Sequence, residues 1–331
     1  MKTTSINIFT HAIPCYNHCK YCLLSWNGNA IGADYERSEN FAKKFSLWLK
    51  TKHPDINFAF YFGYSMEHPE LINKLPVLRE IGSPSTSFLQ FDGMKMRNSA
   101  EVECFVKELK IAGIKTLNFT FYGTKDFHDK FAGRSGDYDL MISTLDFALN
   151  NGLKVEVGIP AIKDNLKQLD YLIDCFEKKV DKLFIFTPHS KGRGLNLIDH
   201  KITLADYELL SDTVKIYFNR NTNKTPIEWL KSDIKDEEYR VLNISLTTDN
   251  IQHFETQSFE KTINEIEKMD EEYYSIVPSF KELLLKYADD IDNNLYTKKD
   301  LYYLYQKRYI QENNLQLNDI NDERFCGSIR Y

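Results

Sequence analysis

The chain has 331 residues, a net charge of -6, and 20 Tyr and 22 Phe, enough apolar and aromatic material for a barrel-sized core. Acidic and basic residues alternate along it, so no basic face points to a nucleic-acid partner, and no run of about 18 apolar residues or apolar signal core points to a membrane. The six cysteines form no disulfide framework, since three sit within one short loop and Cys104, Cys175 and Cys326 are scattered; a reducing, cytoplasmic setting is expected.

In chain order, Ser5 to Thr10 reads as a strand that runs directly into the cysteine loop. Ser38 to Lys50 follows as a helix, with Phe41, Phe45, Leu47 and Trp48 on its apolar side. Next come a strand at Asn57 to Phe62, a helix at Pro69 to Ile81, a strand at Ser87 to Phe91, a helix at Ser99 to Ala112 stopped by Gly113, and a strand at Thr116 to Phe121. Then follow a helix at Tyr138 to Asn150, a strand at Lys154 to Ile159, a helix at Asn165 to Lys178 and a strand at Lys182 to Phe186.

Six strand-then-helix units imply an α/β fold with a parallel sheet and helices outside it, short of the eight that close a full barrel. The expected architecture is therefore a partial (βα)6 TIM-like barrel over residues 1–195. Residues 196–331 read as a mostly helical C-terminal extension: a helix at Leu204 to Asn219, a strand-like stretch at Arg240 to Leu246, and helices near Phe259 to Met269, Phe280 to Tyr287 and Lys299 to Gln311. Phe259, Ile263 and Ile266 have the spacing of one buried helix face.

The cysteine loop, Cys15-Tyr16-Asn17-His18-Cys19-Lys20-Tyr21-Cys22, carries three thiols spaced C-x3-C-x2-C. Soft thiolates this close can hold one iron-sulfur cluster, and three ligands for four irons leave one iron open to substrate. The alternative is zinc with a distant fourth ligand such as His18 or Cys326, although the second C-x2-C pair usual for zinc is missing. The spacing, with an aromatic residue before the last cysteine, resembles the radical SAM superfamily. That resemblance implies Cys15, Cys19 and Cys22 as ligands of a 4Fe-4S cluster and S-adenosylmethionine (SAM) as the second cofactor. One electron from the cluster would cleave SAM to a 5'-deoxyadenosyl radical. It also implies an electron donor such as flavodoxin or ferredoxin.

Chemistry in such barrels gathers on the loops that follow the strands. After the second strand stands Gly63-Tyr64-Ser65-Met66-Glu67-His68-Pro69, a partial match to the superfamily's Gly-Gly-Glu-Pro stretch. There Gly63 would permit close approach, while Ser65, the Met66 carbonyl or Glu67 would accept hydrogen bonds from the SAM ammonium; a helix-start loop is the other reading. The third strand ends in Gln90-Phe91-Asp92-Gly93, where related enzymes resemble Thr-Asn-Gly. The fourth ends in Thr120-Phe121-Tyr122-Gly123, followed by Phe127-His128-Asp129 and Phe131-Ala132-Gly133-Arg134-Ser135-Gly136. This succession resembles the branch of molybdopterin-precursor cyclases and SPASM-type peptide maturases. It implies Thr120 at the SAM ribose, while Tyr122 stands where that branch has an acid and Ala132 where it has an arginine, so that Arg134, two positions on, is the candidate for the SAM carboxylate. His128-Asp129 also reads as a local hydrogen-bonded turn. For the adenine, Tyr21, Ile159 and the backbone near Thr187 and Pro188 are the candidates.

No further cysteine cluster follows, so a single cluster is expected. The resemblance implies a radical enzyme acting on a peptide or peptide-derived metabolite. A nucleotide-modifying enzyme of viperin-like type and a non-catalytic iron-sulfur sensor are the competing readings. Cys326, in Arg324-Phe325-Cys326-Gly327, is a candidate catalytic hydrogen-atom donor, with a packed terminal cysteine as the alternative.

Overall fold

The computed structural model describes residues 2–10, 15–22, 34–61, 71–82, 86–234, 239–288 and 292–317. Strands and helices alternate through the first part of the chain: β1 (Lys2–Thr10), α1 (Tyr35–Lys52), β2 (Asn57–Tyr61), α2 (Leu71–Glu80), β3 (Phe88–Gln90), α3 (Ser99–Ile111) and β4 (Thr116–Thr120). Two helices follow β4, α4 (Lys125–Ala132) and α5 (Asp137–Asn150), before β5 (Lys154–Pro160), α6 (Leu169–Phe176) and β6 (Lys182–Phe186). A last strand, β7 (Tyr239–Leu246), comes from the region beyond the sixth unit.

All ladders are parallel and fall into two sheets, β2-β1-β7 and β3-β4-β5-β6. The result is the expected α/β partial barrel followed by a mostly helical region. The strand-like stretch near residue 240 joins the barrel itself, pairing with β1 from Lys2 opposite Tyr239 to Thr10 opposite Leu246 with one register shift. Phe218 makes an isolated parallel bridge to Ile185, extending the sheet edge beyond β6.

Local chemistry explains the elements. Asp34 accepts the Arg37 N–H to start α1, and Phe41, Ala42, Phe45 and Leu49 bury one stripe of it at 3–4 residue spacing. Asn98 and Glu101 form a reciprocal cap at the start of α3. Two expected helices differ. The stretch from Leu204 breaks into Leu204–Glu208 and Asp212–Tyr217, because the Ser211 side chain accepts the Val214 N–H and restarts the helix. The expected helix from Asn165 opens instead as a tight 3-10 turn, Lys163–Gln168. There the fully buried Asn165 amide donates to the carbonyls of Pro160 at 2.7 Å and Tyr122 at 2.8 Å, binding the β5 end to the β4 end. Helix α4 was not expected from the sequence; Gly133, at φ 70°, closes it in the left-handed conformation that favours glycine.

Because every strand is parallel, the ends that follow Thr10, Gln90, Thr120, Pro160 and Phe186 share one rim of the barrel. The region beyond β6 is fastened to that rim. Asp300, near the start of the helix Lys298–Glu312, accepts the Ser190 N–H at 2.5 Å and pairs with Lys201 at 2.7 Å, with both charged side chains buried.

Candidate active site

The cysteine loop follows β1 and is held mainly by the backbone of other strand ends. Tyr16 N–H donates to the Gly93 carbonyl at 2.8 Å, His18 N–H to Ala132 at 2.7 Å and Lys20 N–H to Phe131 at 3.0 Å. On the opposite side the Arg193 N–H donates to the Cys22 carbonyl at 3.0 Å and Arg193 Nε to the Cys19 carbonyl at 2.9 Å. Below the loop, Asn17 Nδ2 donates to Asp137 Oδ2 at 2.8 Å. Glycines permit this closeness: a Cβ on Gly133 would lie 2.9 Å from His18 Cβ.

The loop thereby turns all three thiols toward one cavity of about 290 Å³. Cys15, Asn17, Cys19, Tyr21 and Cys22 line one side, Gln90, Asp92, Asn118 and Thr120 form a polar wall from β3 and β4, and Tyr122, Phe184 and Phe186 complete it. Among the described residues no three His, Cys, Asp or Glu side chains converge closely enough to hold a single metal ion. His18 is exposed and absent from the cavity lining.

Electrostatics favour a cationic guest. Burial pushes the Cys15 thiol up to about 12, against the Asn17 backbone N–H that favours its thiolate. Burial likewise pushes the Cys19 thiol up, against a hydrogen bond from Tyr122. Such thiols become thiolates when a bound metal centre supplies compensating positive charge. Across the cavity Asp92 accepts the Thr120 N–H at 3.0 Å and hydroxyl at 2.9 Å, and also a hydrogen bond from Gln90. Burial still pushes its carboxyl up to about 6.

No protein-family model matches the chain. Curated relatives include the GTP 3',8-cyclase of Campylobacter jejuni, 25% identical over 234 residues that span 69% of each chain. They also include the Fe-coproporphyrin III synthase of Methanosarcina barkeri, 23% identical over 109 residues, 33% of this chain and 27% of the relative. In its C-x3-C-x2-C loop and in these relatives the chain is similar to the radical SAM superfamily. Among solved structures, Streptococcus suis SuiB bound to S-adenosylmethionine overlaps 73% of this chain and 50% of its own, at 16% identity and a TM-score of 0.45. Likeness at that level assigns no activity.

The cofactors of radical SAM enzymes are a 4Fe-4S cluster and SAM, and this donor set fits both. Three soft ligands face one cavity, and the wall opposite offers carboxylate, amide and hydroxyl groups. Asn17 Oδ1 is a buried acceptor with no hydrogen-bond partner among the described residues, in a side chain that lines the same cavity.

Of the residues expected at the site, Cys15, Cys19, Cys22, Tyr21 and Thr120 meet at this cavity. Arg134, Ile159 and Pro188 do not line it. Arg134 is engaged elsewhere, donating to the Met94 carbonyl and to Asp137, which braces the cysteine loop from below. Ile159 is fully buried in the core, and the Pro188 carbonyl accepts from Lys201 Nζ at 2.7 Å. Gly63, Ser65, Met66, Glu67 and Cys326 lie outside the described residues. His128 and Asp129 both have structural work: Asp129 accepts the N–H groups of Gly136 and Tyr138, and buried His128 Nε2 lies 3.2 Å from Asp137.

Asp92, Gln90, Asn118, Phe184 and Phe186 were not assigned to the site from the sequence. The signal that finds them is strand alternation, since residues two apart share a face. Stepping by two along strands and their exits joins Gln90 to Asp92, Asn118 to Thr120 and Tyr122, and Phe184 to Phe186, all of them cavity residues.

Proposed function

We propose that this radical SAM enzyme holds one 4Fe-4S cluster on Cys15, Cys19 and Cys22 and binds SAM against the polar wall, abstracting hydrogen from a peptide or peptide-derived metabolite. The observation that carries the reading is the meeting of the three loop thiols and the Gln90, Asp92, Asn118 and Thr120 wall in one cavity on the strand-end rim. When bound, the cofactors would supply a 5'-deoxyadenosyl radical, at the expense of one electron passed from the cluster to SAM.

The chain's own groups do the rest. The cysteine loop, tied by Gly93, Phe131, Ala132 and Arg193, keeps the thiols in place before metal arrives. Asp92 would accept from the ammonium or ribose hydroxyls of SAM, and Thr120 and Gln90 fix its orientation through the hydrogen bonds they donate to it. Tyr21, whose ring stands 6.4 Å from that of Phe186, supplies with Phe184 and Phe186 an aromatic slot for the adenine. Gly158 makes room for that slot, since a Cβ there would meet Phe184 at 2.9 Å. Burial of the cavity floor excludes water and competing hydrogen donors.

The test is anaerobic reconstitution. About four irons per chain are expected, with charge-transfer absorbance and slow release of 5'-deoxyadenosine from SAM under reduction. Cluster retention in a Cys15, Cys19, Cys22 triple alanine variant would defeat the cluster assignment, and an intact cluster that releases no 5'-deoxyadenosine would return the sensor reading.

The substrate class rests on the strand-end succession from Thr120 to Gly136, which resembles the branch that holds both the molybdopterin-precursor cyclases and the SPASM-type peptide maturases. A second reading, a nucleotide substrate, is favoured by the relatives named GTP 3',8-cyclase. Deuterium transfer into 5'-deoxyadenosine separates them: transfer from deuterated GTP supports the nucleotide, and transfer only from a deuterated low-mass peptide fraction supports the peptide.

A further inference from the structure

The Tyr122 hydroxyl lies 3.2 Å from Cys19 Sγ in a side chain that is 1% exposed. Cys19 is itself buried, in one apolar cluster with Tyr122, Phe131, Ala132, Ile162 and Leu197. Everything around the phenol fixes its position. Its ring stacks on His128 at 4.8 Å and 22°, and the ring of Phe131 lies 4.8 Å away on centroids. Its backbone N–H donates to His128 Nδ1 at 3.2 Å, and its carbonyl accepts from Asn165 at 2.8 Å. With Nδ1 occupied as an acceptor, the imidazole proton sits on Nε2, facing Asp137 at 3.2 Å; Asp137 in turn holds Asn17 of the cysteine loop. Tyr122 is thus tied to the cysteine loop twice, by its hydroxyl at Cys19 and by its backbone through His128, Asp137 and Asn17.

We propose that Tyr122 donates a hydrogen bond to the sulfur of Cys19 when that sulfur ligates the cluster, and so sets the cluster's reduction potential. The inference rests on the cluster reading above. A metal-bound thiolate carries no proton, so the phenol must be the donor. A hydrogen bond to a ligand sulfur withdraws electron density and favours the more negative, reduced cluster over the oxidised one. Tyr122 is therefore a positioning and tuning residue with no required contact to substrate.

The experiment is an EPR-monitored redox titration of the reconstituted cluster without SAM, with iron content and thermal unfolding measured in parallel. Tyr122→Phe keeps the ring and its stacking but loses the hydroxyl. The expected result is full iron content with a more negative potential, by about tenfold in the reduction equilibrium, or about 59 mV for one electron. Site-specific 3-fluorotyrosine at position 122, a stronger donor of the same shape, should move the potential the opposite way. Full iron with an unchanged potential in Tyr122→Phe overturns the inference. If Tyr122→Phe fails to load iron, the fluorotyrosine protein decides: an unmoved potential there also overturns it. Failure of the wild-type chain to bind iron is a distinct outcome that removes the cluster reading and this inference together.

Discussion

A Cβ on residue 93 would lie 2.0 Å from Cys15 Sγ, and Gly93 also holds a left-handed φ of 70° while its carbonyl accepts the Tyr16 N–H. Cys15, the first of the proposed cluster ligands, and the loop after β3 are therefore packed so tightly that only a hydrogen fits between them. Gly93→Ala should displace Cys15 while leaving the barrel folded. The strain of alanine in that conformation is about 1–2 kcal/mol, small beside the loss of a ligand position. Iron content after reconstitution should fall well below that of the wild type, with little change in far-ultraviolet circular dichroism. A fully loaded Gly93→Ala protein would show that Cys15 takes another position.

Asn17 joins the loop to the buried Asp137 carboxylate at 2.8 Å. Asp137 is burdened chiefly by burial, yet its carboxyl ends below its ordinary value because His128 and Arg134 outweigh that burden. Asn17→Ala removes one donor to a charged acceptor, a loss of about 1.5–3 kcal/mol. Asn17→Asp should be worse, since it places a second carboxylate against the first. Denaturant unfolding of the apoproteins measures both, and equal stabilities for the two variants would contradict the arrangement.

The parts legible in the sequence were those encoded locally. Apolar runs such as Lys182 to Phe186 bounded by turn residues became strands within a residue or two, and the thiol spacing of Cys15, Cys19 and Cys22 marked the site before any fold was known. What escaped depended on distant groups. Nothing in the stretch Arg240 to Leu246 states that it pairs with β1, because its partner is chosen by tertiary packing. Asn165 sits inside a 3-10 turn, Lys163–Gln168, where carbonyls at the ends of two different strands claim its amide. Arg134 looked like a ligand for SAM carboxylate because of its place in a motif, but Asp137, only three residues on, engages it. Gly93 and Ala132-Gly133, to which the sequence assigned no role, carry the cysteine loop on their carbonyls and bare Cα atoms.

The Lys201–Asp300 pair fastens the helix Lys298–Glu312 to the loop after β6. Asp300 is 1% exposed and also accepts the Ser190 N–H and hydroxyl, while Lys201 lies 5.0 Å over the Tyr296 ring. Asp300→Ala leaves a buried ammonium without its carboxylate, which costs about 3–5 kcal/mol. Chemical denaturation should register that loss, and the double variant with Lys201→Met should recover part of it. A stability within about 0.5 kcal/mol of wild type, the usual effect of a surface substitution, would mean the pair is not formed.

Asp92 gives a pH prediction for the apoprotein. Burial is the largest influence on its carboxyl and raises it to about 6, with hydrogen bonds from Gln90 and Thr120 opposing the rise. In the unfolded chain the same group titrates near the ordinary aspartate value of about 3.9. Between those two values the folded state holds the proton and the unfolded state has released it, so unfolding releases protons and stability falls as pH rises across the window. Above about pH 6 the full penalty is present, at most roughly 3 kcal/mol for a shift of two units. Asp92→Asn retains an acceptor for the Thr120 N–H but cannot ionise, so its stability relative to wild type should improve steadily from pH 4 to pH 6.5 and then level off. Urea unfolding of the two apoproteins at several pH values measures the difference directly. A constant difference across that range would show that Asp92 ionises in the folded protein at its ordinary value, and that solvent or another group reaches the polar wall.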